Sequence, residues 1–200
     1  MTAPSTVSVP VATPWWRSGK IVVVGILAAL TVGWWFYRQT VPPTWLRAFA
    51  ADIALRASAD PNPVEIEDAR EASPRGLADN PYICLSRLVP PPWDRIVFVT
   101  HEQGKTLRAH PVLGDAKWAS TSATDAQNRL TADDRYQLVV LMNGDQVRDA
   151  QLFFTFWADL SGLARPEGFA PENAIFTAAS LQGRYVLTTA PNAARADCPT

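Results

Sequence analysis

The chain has 200 residues, a net charge of −1, 17 prolines, two histidines and two cysteines. Its charge is unevenly spread. Residues 1–51 hold Arg17, Lys20, Arg38 and Arg47 and no acid, whereas the remaining 14 basic and 19 acidic residues give −5. An acidic outer portion is a poor match for nucleic acid, which demands a basic face, so no nucleic-acid partner is expected; it also disfavours a polybasic grip on anionic lipid.

Residues 1–19 open with MTAPSTVSVPVATP, small, polar and proline-punctuated. Without a core-forming pattern they are expected to be a disordered cytoplasmic tail. Next comes an apolar run, Ile21 to Tyr37, with no charge between Lys20 and Arg38. Its length corresponds to about 25 Å of helix against a hydrocarbon core of about 30 Å, and the flanks make up the difference. Trp15 and Trp16 precede the run and Trp34, Trp35 and Tyr37 close it. These rings are apolar with a polar handle, which suits the headgroup boundary. A single transmembrane helix is therefore expected over 20–38. Gly25, Ala29 and Gly33, four apart, make a small-residue stripe on which a partner helix can approach closely, although such residues are common in membrane helices in any case. Arg17 and Lys20 ahead of the run tip the orientation towards a cytoplasmic N-terminus. In a bacterium the bulk of the chain would then be periplasmic, anchored in the inner membrane. Cleavage after Ala48-Phe49-Ala50, which has the small-x-small shape of a signal-peptidase site, is the rival reading. It is disfavoured because the site lies beyond Pro42-Pro43, far from the run.

Residues 39–81 are expected to be a juxtamembrane helix and linker. Pro42-Pro43 stops the preceding helix, and Trp45, Leu46, Phe49, Ala50 and Ile53 follow at helical spacing. That helix would lie on the membrane, dock a neighbour or pack on its own domain. Residues 57–81 carry four prolines and the acids Glu65, Glu67 and Asp68, the mark of a solvated stretch.

The folded domain is expected over 82–200, as an α+β unit built on a mostly antiparallel sheet of about five or six strands with one or two short helices. Strands are predicted at 82–85, at 93–100 around Ile96-Val97-Phe98-Val99, and at 136–142. Asn143-Gly144 signals a tight hairpin returning through Val147 and then Leu152 to Trp157. A last hairpin joins 174–179 to 184–189 around Gln182-Gly183. Short helical turns are predicted at 106–113, 125–130 and 159–163. Leu152 to Trp157 is apolar on both faces, which implies a central strand or one covered by a partner.

Cys84 and Cys198 are the two cysteines. An even, low count fits one disulfide in an oxidising compartment; the alternative is two thiols, with Cys84 buried in a strand. Cys84-Leu85, Trp93-Asp94-Arg95-Ile96-Val97-Phe98, Trp118 and the strand Leu138–Leu141 before Asn143-Gly144 resemble a family of small uncharacterised bacterial envelope proteins, many of them lipoproteins. That resemblance implies an envelope-facing α+β domain and carries no activity. The chain departs from it in having a helical anchor and in reading Val99-Thr100-His101 where a Pro-Tyr step is common.

Motifs for chemistry are sparse. The sequence has no glycine-rich phosphate loop, no G-x-S-x-G elbow and no C-x-x-C. His101-Glu102 begins like a zinc-protease helix, but Lys105 stands where the second histidine must be. His101, Glu102 and His110 are the one set that could hold a metal or act as an acid–base pair. The reading these observations favour is a non-enzymatic, single-pass, membrane-anchored accessory or assembly subunit without a cofactor. Its partners would be membrane subunits, met through the transmembrane helix and the juxtamembrane segment, and the lipid bilayer. A small-ligand or enzymatic domain using His101, Glu102 and His110 is the alternative.

Overall fold

The computed structural model describes residues 42–57, 81–118 and 122–198. The expected tail 1–19, the expected span 20–38 and most of the expected linker lie outside them. Among the described residues no helix is long and apolar enough to cross a membrane.

The described elements, in order, are α1 (Thr44–Ala57), β1 (Ile83–Cys84), α2 (Leu85–Leu88), β2 (Arg95–Val99), α3 (His101–Gly104), α4 (Ser122–Ala132), β3 (Tyr136–Asn143), β4 (Gln146–Phe154), β5 (Ile175–Leu181) and β6 (Arg184–Thr189), with 3₁₀ turns between. The fold is α+β. Instead of one sheet of five or six strands there are two antiparallel sheets of three, in the orders β1-β5-β6 and β2-β3-β4. The predicted strand at 82–85 shrinks to two residues because Leu85 turns into α2. The helix predicted at 106–113 is only a 3₁₀ turn, Leu107–Ala109.

The β2-β3-β4 sheet is covered on both faces, which explains its apolar sequence. Ile96, Phe98, Val139, Leu141 and Phe153 face one core, together with α1 and with Phe176 and Leu187 of the other sheet. Val97, Val99, Leu138, Val140 and Met142 face a second core with Leu107, Leu113 and Leu130. Alternate residues of β3 point to opposite faces, so a strand roofed on both sides reads as an unbroken run. Both predicted hairpins form. Gly144 has φ +60°, and Gln182 and Gly183 have φ +52° and +77°, the left-handed backbone that tight two-residue turns require.

Helix α1 is the main departure from the expected domain start near Tyr82. The compact unit runs from Pro42 onwards, and Trp45, Leu46, Phe49 and Ile53 lie within the first core. Phe49 packs against Phe153 at 5.8 Å and Phe98 at 6.4 Å between ring centroids. The Trp45 indole N–H donates to Asp149 on β4 at 3.2 Å. Of the readings left open for this helix, packing on its own domain is the one realised. Its face is nearly all apolar, so its sequence resembles that of a helix meeting lipid or a neighbour.

The sheets are tied by polar contacts as well. The Gln137 side chain, on β3, donates to Asp159 at 3.1 Å and accepts from the Leu160 N–H at 2.9 Å. The Asp159 backbone pairs with β6, its N–H reaching the Tyr185 carbonyl at 2.7 Å. On the outer side of β2, Ile96 and Phe169 exchange two backbone bonds of 2.8 Å. Gly168 stands beside them at φ +68°, where a Cβ would lie 2.5 Å from the Ile96 carbonyl oxygen.

Two tests address α1. Phe49→Ala should cost about 3–5 kcal/mol, the range for truncating a buried aromatic, read as a lowered denaturation midpoint; an unchanged midpoint would mean that α1 is not part of the core. Asp52 is buried on α1 with a carboxyl pKa raised to about 6. Burial raises it, and the Arg56 guanidinium at 3.0 Å only partly offsets that. The folded state therefore binds this proton more tightly than the unfolded state does. The penalty is complete above pH 6 and disappears as the pH falls towards 3.8. The stability of Asp52→Asn relative to the natural chain should thus rise between about pH 4 and pH 7, by at most about 3 kcal/mol, in denaturant titrations across that range.

Candidate functional site

The three residues singled out for chemistry do separate structural jobs. Thr100 caps α3 in a reciprocal box with Gln103, which presents His101 and Glu102 on the first turn. His101 Nδ1 lies 2.8 Å from the Leu130 carbonyl oxygen, joining α3 to α4. Glu102 is exposed and paired with Lys105 at 2.7 Å, so its pKa is lowered, first by the bond from Lys105 and then by that residue's charge. His110 is buried, and its Nδ1 accepts from the Val112 and Leu113 N–H groups at 3.3 Å each. Those two bonds require an unprotonated Nδ1, and burial lowers the His110 pKa in the same sense. Among the described residues no three His, Cys, Asp or Glu side chains are placed to share a metal, and neither of the two concavities described below is lined by either histidine.

The larger concavity is a groove of about 830 Å³. One wall is α1, through Arg47, Ala50, Ala51 and Ala54; another is the end of β4 and the turn after it, Phe154 to Trp157; the third is the β5–β6 hairpin, Gly183 to Tyr185, with Arg135 nearby. The aromatic wall is self-supporting. Trp157 meets Phe153 edge-on at 5.4 Å and Phe154 at 6.4 Å, while Phe154 also contacts Phe156 at 6.0 Å and Tyr136 at 5.4 Å. Phe153 is buried in the core, but Phe156 is 84% exposed. The stretch Leu152–Trp157 is therefore not a central strand. It belongs to the edge strand β4 and the turn that leaves it, and its apolar character divides between core and surface.

No acidic residue lines this groove, and three arginines do. Arg47 and Arg184 are exposed. Arg135 is also exposed and is clamped to Asp133 at 2.6 Å, which holds the Asp133 carboxyl at about 2. Sequence reading found Phe154, Phe156 and Trp157 but missed the arginines and Tyr185, which come from three distant segments. The second large exposed apolar side chain, Leu181, is 62% exposed and pairs with Arg184 at the end of the hairpin.

A smaller cleft of about 290 Å³ lies between residues 165–175 and 189–195. Both of its arginines are engaged: Arg165 sits over the Phe169 ring at 5.1 Å and donates to Thr189, and Arg195 donates to Asn173.

Cys84 and Cys198 form the expected disulfide, with Cα atoms 5.6 Å apart across 114 residues of sequence. It pins the turn Asn192–Asp197 onto β1, beside Ile175 and Ala194. The candidate membrane-packing residues Gly25, Ala29 and Gly33, and the interface residues Trp15, Trp16, Trp34, Trp35 and Tyr37, lie outside the described residues.

No protein-family model, curated protein or solved structure matches the chain. The likeness to small envelope proteins rests on the quoted residues alone.

Added zinc should leave the melting temperature unmoved, since among the described residues no three potential ligands converge around either histidine. A zinc-dependent rise that His101→Ala or His110→Ala removes would establish a metal site instead.

Proposed function

We propose that this chain is a non-enzymatic, single-pass protein of the bacterial inner membrane, whose α+β domain lies on the periplasmic side and serves as an accessory or assembly subunit of a larger membrane complex. The Cys84–Cys198 disulfide carries this reading. Structural disulfides persist in oxidising compartments and are rare where thiols are kept reduced. An apolar run bounded by Lys20 and Arg38 and flanked by aromatic pairs supplies the means of holding such a domain at the membrane. The stripe of Gly25, Ala29 and Gly33 offers a face for a partner helix. The exposed aromatic wall at Phe156 fits a protein that acts through contact. His101 is bonded to Leu130, Glu102 to Lys105 and His110 to its own turn, and none of the three lines either concavity, which leaves the ligand-binding or enzymatic alternative without geometric support.

Protease shaving tests the placement. In intact spheroplasts the domain should be digested, and trapping free thiols before lysis should leave both cysteines unlabelled until reductant is added. Removing the disulfide with a Cys84→Ser, Cys198→Ser double substitution should cost about 2–5 kcal/mol. A domain that resists protease until lysis, or that carries two labelled thiols in the cell, would overturn the placement. Co-purification of the full chain in mild detergent tests the assembly role; recovery of the chain alone would count against it.

A further inference from the structure

The ring nitrogens of the two histidines are placed for opposite charge states. His101 Nδ1 faces the Leu130 carbonyl oxygen at 2.8 Å, so it donates, and a charged imidazolium makes that bond as well as a neutral ring does. His110 Nδ1 faces two donors instead, the Val112 and Leu113 N–H groups, at 3.3 Å each. A ring nitrogen accepts only when it carries no proton. The one ring proton of His110 therefore lies on Nε2, which is buried and meets no acceptor. Charging this ring would set a third N–H against the other two and bury a cation where no group receives it. The closed turn and a second proton on His110 exclude each other.

What the turn carries gives this a consequence. The His110 N–H bonds the Leu107 carbonyl at 3.1 Å, and the Gly114 N–H bonds the His110 carbonyl at 2.8 Å, so His110 ties the two ends of the coil together. Leu107 and Leu113 are buried against Val97 and Val99 of β2 and Leu138, Val140 and Met142 of β3. Trp118 donates back to the Leu113 carbonyl at 3.1 Å. Among the described residues, only Leu130 of α4 joins this segment in placing fully buried side chains over that face of the sheet.

No neighbouring charge favours the proton. Arg108 and Asp115 lie in the segment, and Lys117 at its end pairs with Asp145. Asp125 and Arg129 stand on α4, and Arg95 and Tyr136 at the ends of β2 and β3. None of them contributes to the lowered His110 pKa, whose cause is burial. A histidine freed from the turn takes its proton at the ordinary value of 6.5, the enclosed one only at lower pH. The closed turn is thus fully held above pH 6.5 and loosens as the pH falls below it. Asp52 acts in the opposite sense on the other core: it takes up its proton near pH 6, which relieves the penalty of its burial. The interval that weakens the turn firms the first core.

We propose that residues 107–118 are an acid-released cover on the second core, with His110 as the catch. Acidification frees Leu107, Leu113 and Trp118 and bares the apolar face of β2 and β3, while the first core stays shut.

Hydrogen exchange of the full chain in mild detergent, with its disulfide intact, reads the opening once each rate is divided by the intrinsic rate at that pH. The opening constant of 107–118 should be level above pH 6.5 and rise by up to about tenfold for each unit below it. Residues 45–53 of α1 should show no rise. His110→Asn keeps an oxygen acceptor near the place of Nδ1 and cannot titrate, so its 107–118 exchange should ignore pH; His101→Asn should respond as the natural chain does. Ring nitrogen-15 shifts of the natural chain, which need no variant, should show His110 Nδ1 without a proton at neutral pH and its protonation in step with the opening. Level exchange at 107–118 below pH 6.5, a response retained by His110→Asn, or a protonated Nδ1 at neutral pH would each overturn the catch. A rise shared equally by α1 would mean general acid unfolding and would overturn the cover.

Discussion

Phe98 is the contact on which the described domain turns. Its ring meets Phe49 of α1 at 6.4 Å, Phe169 of the segment beside β2 at 6.0 Å and Phe176 of β5 at 5.6 Å. One side chain thus joins the helix, the β2-β3-β4 sheet and the β1-β5-β6 sheet. Aromatic pairs at such distances contribute about 0.5–1.5 kcal/mol each beyond the area they bury. The larger consequence is geometric, since a change at Phe98 would loosen three interfaces together. The Gln137–Asp159 clamp repeats the connection in polar form. Burial raises the Asp159 pKa, but the bonds from Ser161 and Gln137 outweigh it and leave the pKa below its ordinary value, so the clamp holds a charged carboxylate.

The double cover of the β2-β3-β4 sheet determines where a surface site could form. With both faces of β3 occupied by cores, it is the edge strand β4, the strand ends and the hairpin tips that meet the outside. The groove beside Phe156 is built from such margins: the end of β4, the tip of β5–β6 and the exposed edge of α1 around Arg47.

Much of the scaffold was legible from residues alone, for physical reasons that can be named. Leu138–Met142 and Ile96–Val99 are unbroken apolar runs because they are buried on both faces. Gly144 and Gln182-Gly183 sit at the positive-φ turns that their sequences announce. An even pair of cysteines pointed to the bond that forms. The missed elements were of two kinds. Helix α3 carried its own signal, Thr100 followed by Gln103 at capping-box spacing, but at four residues it was overshadowed by the strand before it. The membership of α1 had no local signal, because a helix apolar nearly all round reads alike against lipid, a neighbour or its own sheets. The groove combines both problems. Phe154, Phe156 and Trp157 stand out in sequence, whereas Arg47, Arg135 and Arg184 are ordinary until folding brings them to one rim.

The way α1 is held has a mechanical corollary. Trp45, Leu46, Phe49 and Ile53 bind it to both sheets without any covalent help. A chain cut anywhere between Ala57 and Pro81 would therefore persist as a two-piece complex, the short fragment keeping hold of the long one as a bound peptide does. Severing that stretch would leave the domain in place; release would require pulling the aromatic side chains of α1 out of their socket.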